Sequence, residues 1–339
     1  MQLYKSLIFT TTCLILTLFT NSAYSSEVNV YSYRQPFLIQ PIFDAFTRES
    51  GIDVNVVFAK KGLSERLKRE GRNSPADLIF TVDIGRLIDV VNKDLVQGTS
   101  STTLSNNIPS QYRDPEGKWF GLTTRTRSIY VSKERANLAD IQRYEDLSNP
   151  AWKGRICTRS GKHPYNLALI ASMIAHHGEE KASDWLKGVK ANLARKPQGN
   201  DRAQVKAIKE GVCDISLGNN YYYGKMLNNP DQVEWANAVH ITFPNQADRG
   251  THVNISGMAL TKHAPNKANA IKLMEFLSKK LAQKMYSEQN FEYPVNPSVE
   301  PSGLLQSWGN FKSDILPLSE VANLRKQAAK LVDRIGFDE

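Results

Sequence analysis

The feature that most constrains the fold is an alternation of short apolar segments with amphipathic segments, which begins near residue 28. Gly51, Gly62, Gly71 and Pro75 separate these segments, and glycine and proline commonly end secondary structure. Strand-like and helix-like segments alternate in the order 28–33, 37–48, 52–58, 63–70, 77–82 and 84–92. Strands that alternate with helices predict a parallel sheet covered on both faces. The first part of the chain is therefore predicted to be α/β.

A second set of strand-like and helix-like segments follows residue 125. The predicted strands are 155–158, 214–217, 239–242 and 254–261, and the predicted helices are 167–177, 180–194, 203–210 and 268–281. The chain has 339 residues, more than one hydrophobic core usually supports, so two α/β lobes are expected. Segments 121–131 and 252–261 are candidates for strands that cross between them. Two crossings predict a hinge, a discontinuous first lobe and a ligand cleft between the lobes.

The N-terminus has the three parts of a secretory signal. Lys5 precedes an apolar run at 7–19, and small residues follow at 21–25. The apolar run is shorter than the roughly 20 residues that a membrane-spanning helix needs. We therefore expect residues 1–25 to be removed on export, and the mature protein not to be embedded in a membrane.

Two cysteines, Cys157 and Cys213, remain once the signal is removed. An exported protein meets an oxidising compartment, which favours a Cys157–Cys213 disulfide; two separate buried thiols are the alternative. The formal net charge is +9, from 43 basic and 34 acidic residues. Basic residues in segments such as 60–72 and 181–196 are interleaved with acids, which indicates solvated helix faces. A nucleic-acid partner is therefore not predicted.

The sequence lacks the short motifs of common nucleotide-dependent and hydrolytic enzymes. It contains no Gly-x-x-x-x-Gly-Lys-Ser/Thr loop, no Gly-x-Gly-x-x-Gly and no Gly-x-Ser-x-Gly. The adjacent His176 and His177 face different directions on a helix, so they cannot share a metal as an i, i+4 pair does. No pair of acids suggests acid–base catalysis. The sequence does not predict an enzyme.

The most informative local motif is Asn-Asn-Tyr-Tyr-Tyr at residues 219–223, where a buried strand is predicted to give way to a helix. Residues at the end of a strand in an α/β layer point into the crevice where such folds bind ligands. A phenol has a pKa of about 10, so it is a poor ligand for most divalent metals. Fe³⁺ is hard and highly charged, and it favours phenolate oxygen. Aromatic packing in a core is the alternative for these residues.

The chain from about residue 27 to 335 resembles the periplasmic ferric-iron-binding proteins, the substrate-binding components of Fe³⁺ ABC transporters. The resemblance rests on the paired tyrosines after Asn-Asn and on several further stretches. These are 28–35 (VNVYSYRQ), 74–77 (SPAD), 149–155 (NPAWKGR), 249–257 (RGTHVNISG) and 292–297 (EYPVNP). The resemblance implies a type II two-lobe periplasmic binding protein, with each lobe a mainly parallel sheet flanked by helices.

The implied division has two discontinuous lobes after the signal peptide at 1–25. Residues 26–125 with about 252–300 would form the N-terminal lobe, and 126–251 with about 301–339 the C-terminal lobe. The implied ligand is Fe³⁺, and the implied partners are an inner-membrane ABC permease and its ATPase. The mature protein is expected to be a periplasmic monomer.

The resemblance also implies site residues. Tyr221 and Tyr222 fall on the two adjacent iron ligands of the family, Tyr165 falls on a further family tyrosine, and Tyr223 would form an aromatic wall. In the first lobe many relatives place His-Tyr, whereas this chain has Gln35-Pro36. Tyr33, two residues earlier, is predicted to supply the missing phenolate, with Gln35 nearby.

Relatives also place an arginine close to the metal on a crossing strand. Four phenolates on Fe³⁺ carry a net charge of −1, and a buried net charge needs a partner. Arg125 and Arg127 are both candidates, because alternation along a strand sends them to the same face. We predict Arg125 from its position at the crossover.

Two other functions stay open at this point. The first is a receptor of the same fold for an oxyanion or a small organic ligand, with Arg125, Arg127 and Arg159 binding the anion. The second is an exported enzyme on this scaffold, since a fold does not determine a function.

Overall fold

The computed structural model describes residues 26–339, whose centre is a mixed sheet of nine strands. The strands are β1 (Glu27–Ser32), β2 (Asp53–Phe58), β3 (Leu78–Thr81), β4 (Phe120–Ser132), β5 (Ile156–Cys157), β6 (Ile215–Asn219), β7 (Val239–Thr242), β8 (Val253–Leu260) and β9 (Tyr293–Pro294). The predicted signal peptide lies outside the described residues.

Twelve α-helices accompany the sheet within residues 26–339. They are α1 (Pro36–Ser50), α2 (Leu63–Glu70), α3 (Ile84–Asn92), α4 (Thr102–Asn107), α5 (Pro164–Ala191), α6 (Asp201–Lys209), α7 (Asn220–Leu227), α8 (Val233–Asn237), α9 (Lys267–Ser278), α10 (Lys280–Asn290), α11 (Gly303–Gln306) and α12 (Leu318–Ile335). Short 3₁₀ helices occur at Gly71–Asn73, Ser110–Tyr112, Leu138–Asp140, Glu145–Ser148 and Pro150–Trp152.

The sheet is parallel at its outer strands and antiparallel at its centre. The strand order is β2-β1-β3-β8-β4-β6-β5, and β7 and β9 pair with β4. β1 runs parallel to β2 and β3, and β5 runs parallel to β6, whereas β4 and β8 are antiparallel to each of their neighbours. The predicted mainly parallel pairing is therefore correct only for the outer strands, because two long strands that return between the lobes must oppose their neighbours.

The two long central strands occupy the predicted crossing segments. The N-terminal half of β4 pairs with β8 as far as Thr126, and its C-terminal half pairs with β6 from Arg127 onward. All thirteen residues of β4 are buried. One strand thus joins the two halves of the sheet, and β8 carries the chain back to β3.

Separate apolar clusters lie on the two sides of this junction. Val30, Phe43 and Phe80 belong to a cluster built by the first strands together with α9 and α10. Ile129 and Leu169 belong to a cluster built by β4, β6, α5 and α12. These cores agree with two lobes, and the residue at which one lobe ends and the other begins stays a prediction.

One helix combines two predicted helices. Segments 167–177 and 180–194 were predicted separately, and the structure joins them in α5 with a break at Gly178, where φ is 78° and ψ is 165°. Glycine adopts a positive φ without the steric cost of a Cβ atom. The predicted helix 268–281 ends earlier, at Ser278, and α10 follows it directly.

The predicted disulfide is present. The sulfur atoms of Cys157 and Cys213 are bonded, and their Cα atoms are 5.9 Å apart. Both residues are buried in a cluster with Val205 and Ile208. Among residues 26–339, no helix combines the length and the apolar character that a membrane crossing requires.

Candidate metal centre

A cavity of about 930 Å³ lies between the two halves of the molecule and collects the predicted site residues. Its lining includes Tyr33, Gln35 and Arg125 from the first half and Tyr165, Tyr221 and Tyr222 from the second. A depression of similar volume, about 960 Å³, lies between α5 and α12, but charged surface side chains such as those of Glu179 and Lys187 line it.

The turn from β6 into α7 places the paired tyrosines at the cavity. β6 ends at Asn219, and its carbonyl oxygen accepts a hydrogen bond from the Tyr130 hydroxyl at 2.8 Å. The Asn220 side chain accepts a hydrogen bond from the amide of Thr126 at 2.9 Å and donates one to the carbonyl of Phe291 at 2.9 Å. Both asparagines of the motif therefore fix the start of α7 against β4.

Three tyrosine side chains from the second lobe converge. The Tyr221 hydroxyl donates to the Tyr165 hydroxyl at 3.0 Å, and the ring centroids of Tyr221 and Tyr222 are 4.4 Å apart. Tyr165 lies in the first turn of α5, where Pro164 is the first residue and His163 Nδ1 accepts a hydrogen bond from the Tyr165 amide at 3.3 Å. Two helix starts thus bring three phenol groups to one place.

Burial favours the protonated form of Tyr221 and Tyr222. Burial, with smaller effects of Tyr165 and the negative charge of Asp201, raises the pKa of Tyr222 to about 12. Burial also raises the pKa of Tyr221 well above its ordinary value, assisted by Tyr165 and Tyr222, while Arg125 acts in the opposite direction. A cation that binds these oxygens must therefore displace protons.

Tyr33 and Gln35 lie on the opposite wall. The Tyr33 hydroxyl accepts a hydrogen bond from the amide of Ser64 at 3.0 Å, and the Arg86 guanidinium lies 4.5 Å from the centroid of its ring. Gln35 precedes α1 and makes no capping bond with its side chain. The predicted ligation by Tyr33 stays a prediction.

The two arginines that alternation could not separate have different surroundings. Arg125 lines the cavity, and its Nη2 donates to the carbonyl of Val82 at 2.5 Å and to Ser256 Oγ at 2.9 Å. Its buried Nε and Nη1 have no hydrogen-bond partner among residues 26–339. Arg125 Nη2 also lies 4.0 Å from Glu292 Oε1, whereas Arg127 Nη1 forms a closer pair with Asp201 Oδ2 at 2.7 Å. The distinction arises because β4 exchanges β8 for β6 between the two residues.

Tyr223 does not form a wall of the cavity, which corrects the prediction. Its ring centroid is 5.3 Å from that of Trp308 and 6.0 Å from that of Tyr130. Successive residues on a helix point about 100° apart, so a third tyrosine in α7 cannot share the direction of both others.

Sequence reasoning missed most of the charged residues of the cavity. The basic side chains that it missed are Arg34, Lys60, Arg86, Arg202 and Lys225, whereas Arg159 was named as an anion-binding residue of the alternative function. Burial lowers the pKa of Lys225 to about 8, with Glu292 opposing the shift and Arg34 and Arg202 contributing to it. These residues come from distant segments and form no local motif, so only the fold brings them together.

The two lining carboxylates are already engaged. Glu292 accepts a hydrogen bond from Arg34 at 2.7 Å, and Asp83 accepts one from Arg325 at 3.1 Å. Within residues 26–339 there is no group of three or more His, Cys, Asp or Glu side chains that could hold a metal ion. The phenols are therefore the oxygen donors best placed for a cation, and Fe³⁺ suits that donor type.

Comparison with known proteins agrees with this site. Residues 73–307 match the family described as bacterial extracellular solute-binding protein. The chain is 41% identical to iron uptake protein A1 of Synechocystis sp. over 314 residues, which cover 92% of this chain and 87% of the relative.

Two solved structures are also similar. Apo ferric ion-binding protein A of Pasteurella haemolytica has a TM-score of 0.88 and 54% identity, with 93% of this chain and 99% of that chain covered. A Trichodesmium protein in complex with iron and citrate has a TM-score of 0.88 and 44% identity, with 92% and 100% covered. The predicted two-lobe periplasmic binding protein fold is confirmed.

Proposed function

The chain belongs to the bacterial extracellular solute-binding protein family, and we propose that it captures Fe³⁺ in the cleft between its lobes and delivers it to an inner-membrane ABC permease. Relatives named for iron uptake and ferric iron binding support this proposal. Such proteins bind and transfer a solute, so the chain is a transport protein and not an enzyme. The periplasm is the compartment that the proposal requires.

The observation that carries the proposal is the convergence of Tyr165, Tyr221 and Tyr222. The Tyr221 and Tyr165 hydroxyl oxygens are 3.0 Å apart, the ring centroids of Tyr221 and Tyr222 are 4.4 Å apart, and all three residues line the same cavity. Three phenolates this close would repel one another unless a cation lay between them. Fe³⁺ would neutralise three phenolates.

The first lobe completes the site when the lobes close. Tyr33 is the proposed fourth phenolate, with Gln35 beside it, and its ligation would leave the centre with a charge of −1. Arg125 supplies the balancing positive charge, because it is 3% exposed, its Nε and Nη1 have no hydrogen-bond partner among the described residues, and its nearest carboxylate, Glu292, is held by Arg34. Closure would also remove water from the metal and hold it until the permease binds.

Visible absorption tests the proposal. Residues 26–339, titrated with chelated Fe³⁺ at neutral pH, should develop a phenolate-to-iron charge-transfer band that saturates at one equivalent. Tyr222→Phe should weaken binding severely, and Tyr221→Phe with Tyr222→Phe should abolish the band. Tyr223→Phe is the matched control, since that ring packs against Trp308 away from the cavity and its loss should leave the band unchanged.

A receptor for an oxyanion or a small organic ligand is the second candidate. The many basic side chains that line the cavity favour it, including Arg159 and Arg202. Such a receptor would be colourless with iron, and Phe at Tyr221 and Tyr222 would leave its ligand binding largely intact. A protein without the band would favour this function.

A further inference from the structure

A buried ion-pair network of Arg127, Asp201 and Arg159 lies behind the three tyrosines, and of these three residues only Arg159 lines the cavity. The centre of this network is the carboxylate of Asp201, at the start of α6. We propose that Asp201 is a positioning residue of the candidate metal centre. It holds the start of α5, which carries Tyr165, in a fixed position relative to the start of α7, which carries Tyr221 and Tyr222. This inference rests on the proposed function and deepens it.

Asp201 is fully buried and binds three partners from three different segments. Its Oδ2 accepts hydrogen bonds from Arg127 Nη1 at 2.7 Å and from the amide of Asn219 at 3.0 Å. Its Oδ1 accepts one from Arg159 Nη1 at 3.1 Å. A single carboxylate thus joins β4, the segment after β5 and the end of β6.

Arg127, which Asp201 binds, contacts residues at the starts of both α5 and α7. Its Nη2 donates to Asn166 Oδ1 at 2.6 Å, and its Nη1 donates to Asn219 Oδ1 at 3.1 Å. Asn166 directly follows Tyr165, and the Asn219 side chain donates to the Tyr221 hydroxyl at 3.3 Å. The planar guanidinium fork therefore sets the distance between the start of α5 and the start of α7.

The third contact reaches the cavity wall. Arg159 lines the cavity, and its guanidinium lies 5.4 Å from the centroid of the Tyr165 ring. Without the Asp201 carboxylate, Arg127 and Arg159 would face each other as two positive charges with no shared acid. Repulsion between them would move both the Asn166 contact and the wall beside Tyr165.

The direction in which Asp201→Asn changes iron affinity distinguishes a positioning role of Asp201 from a purely electrostatic one. The proposed centre of Fe³⁺ and four phenolates carries a net charge of −1, and Asp201 is a second negative charge behind it. If Asp201 acted only through its charge, Asp201→Asn would remove this repulsion and strengthen iron binding. If Asp201 positions the ligands, the same substitution weakens binding despite that electrostatic gain.

The test measures the iron affinity of Asp201→Asn by chelator competition, together with its charge-transfer band. We expect affinity to fall by about tenfold to a hundredfold, as for other residues that orient metal ligands. The band should shift or lose intensity, because the phenolate geometry changes. Circular dichroism of the iron-free variant establishes that it is folded.

Asp214→Asn is the matched control. Asp214 is also a nearly buried second-lobe carboxylate shared by two arginines, Arg135 and Arg155, each at 2.6 Å. It lies at the opposite end of β6 and does not line the cavity. Its replacement should lower stability and leave iron affinity and the band unchanged.

Arg127→Lys provides a second, charge-conserving variant should Asp201→Asn not fold. Lysine cannot bond Asn166 and Asn219 with a planar fork, so the same loss of affinity and the same change in the band are expected. Wild-type affinity and an unchanged band in either folded variant, or tighter binding in Asp201→Asn, would overturn the inference. An absent band in the unmodified protein would refute the proposed function itself, before any variant is compared.

Discussion

Iron binding by Tyr165, Tyr221 and Tyr222 should release one proton for each phenol that coordinates the metal. Tyr165→Phe should lower the number of released protons by one. An ordinary phenol is protonated at neutral pH, and burial raises the pKa values of Tyr221 and Tyr222 above the ordinary value. Because the bound form is the phenolate, the proton must leave as iron enters. Affinity for Fe³⁺ therefore falls as the pH falls.

The number of phenolates sets the magnitude. The three second-lobe phenols together release three protons, which changes the association constant for Fe³⁺ by about a thousandfold per pH unit, or about 4 kcal/mol of binding free energy, and Tyr33 as the proposed fourth ligand adds about a further tenfold. Tyr165→Phe should reduce this dependence by about tenfold per pH unit. The pKa of about 12 for Tyr222 means that its contribution persists well above neutral pH.

The assay is competition with one chelator at several pH values from about 6 to about 8, a window below the ordinary phenol pKa. The chelator has its own pH dependence, which cancels in the difference between variant and wild type. The intensity of the charge-transfer band supplies an independent count, and it should fall by about a quarter in Tyr165→Phe if Tyr33 is the fourth phenolate, and by about a third if it is not. Tyr223→Phe should change neither quantity.

The same measurement decides the role of Tyr33. Release of four protons by the wild type, reduced to three by Tyr33→Phe, would make Tyr33 a ligand in the closed form. Release of three, unaffected by that substitution, would assign its hydroxyl to the Ser64 amide alone. If Tyr165→Phe keeps both the full pH dependence and the full band, the convergence of phenols is not a metal site and the reasoning fails.

Three further predictions concern the surroundings of the site. Replacing both disulfide cysteines with serine should lower the free energy of unfolding by about 4 kcal/mol, because the bridge closes a loop over a sequence separation of 56 residues; a loss below about 1 kcal/mol in denaturant unfolding would contradict this. Arg125→Gln should move the pH at which iron is lost upward, since Arg125 lowers the pKa of Tyr221; an unchanged midpoint in a pH titration of the band would count against it. Gly218→Ala should destabilise the protein by about 1–3 kcal/mol in thermal unfolding, because its Cβ would overlap the buried Tyr130 ring. A Gly218→Ala protein with unchanged stability would show that this ring can move.

Local signals predicted the elements of the first lobe well. The helices predicted at 63–70 and 84–92 are those of the structure, α2 and α3. Asp83 caps α3 by accepting a hydrogen bond from the Arg86 amide, and Gly71 ends α2. Residues next to each helix therefore determine its boundaries. Strand pairing was harder, because β4 is antiparallel to partners more than eighty positions away along the chain.

The residues of the candidate site also differ in how well the sequence predicts them. Tyr221 and Tyr222 were predictable, because the motif is local and lies where a strand ends. Asp201 was not, since it meets Arg127 and Arg159 only in the folded chain, and in the sequence it is one acid among many at the start of a helix. The choice between Arg125 and Arg127 needed the exchange of β8 for β6 along β4.

That difference has a physical cause. A metal ligand is recognised from its own chemistry and a few flanking residues, whereas the groups that hold it in place are defined by contacts between distant segments. In this chain one buried carboxylate and one guanidinium connect the start of α5 with the start of α7. Iron binding by the tyrosines should therefore depend on side chains that no motif contains. The comparison of Asp201→Asn with Asp214→Asn measures that dependence. Each carboxylate is buried and pairs with two arginines of its own, but only the arginines of Asp201 contact the helix starts that carry the tyrosines.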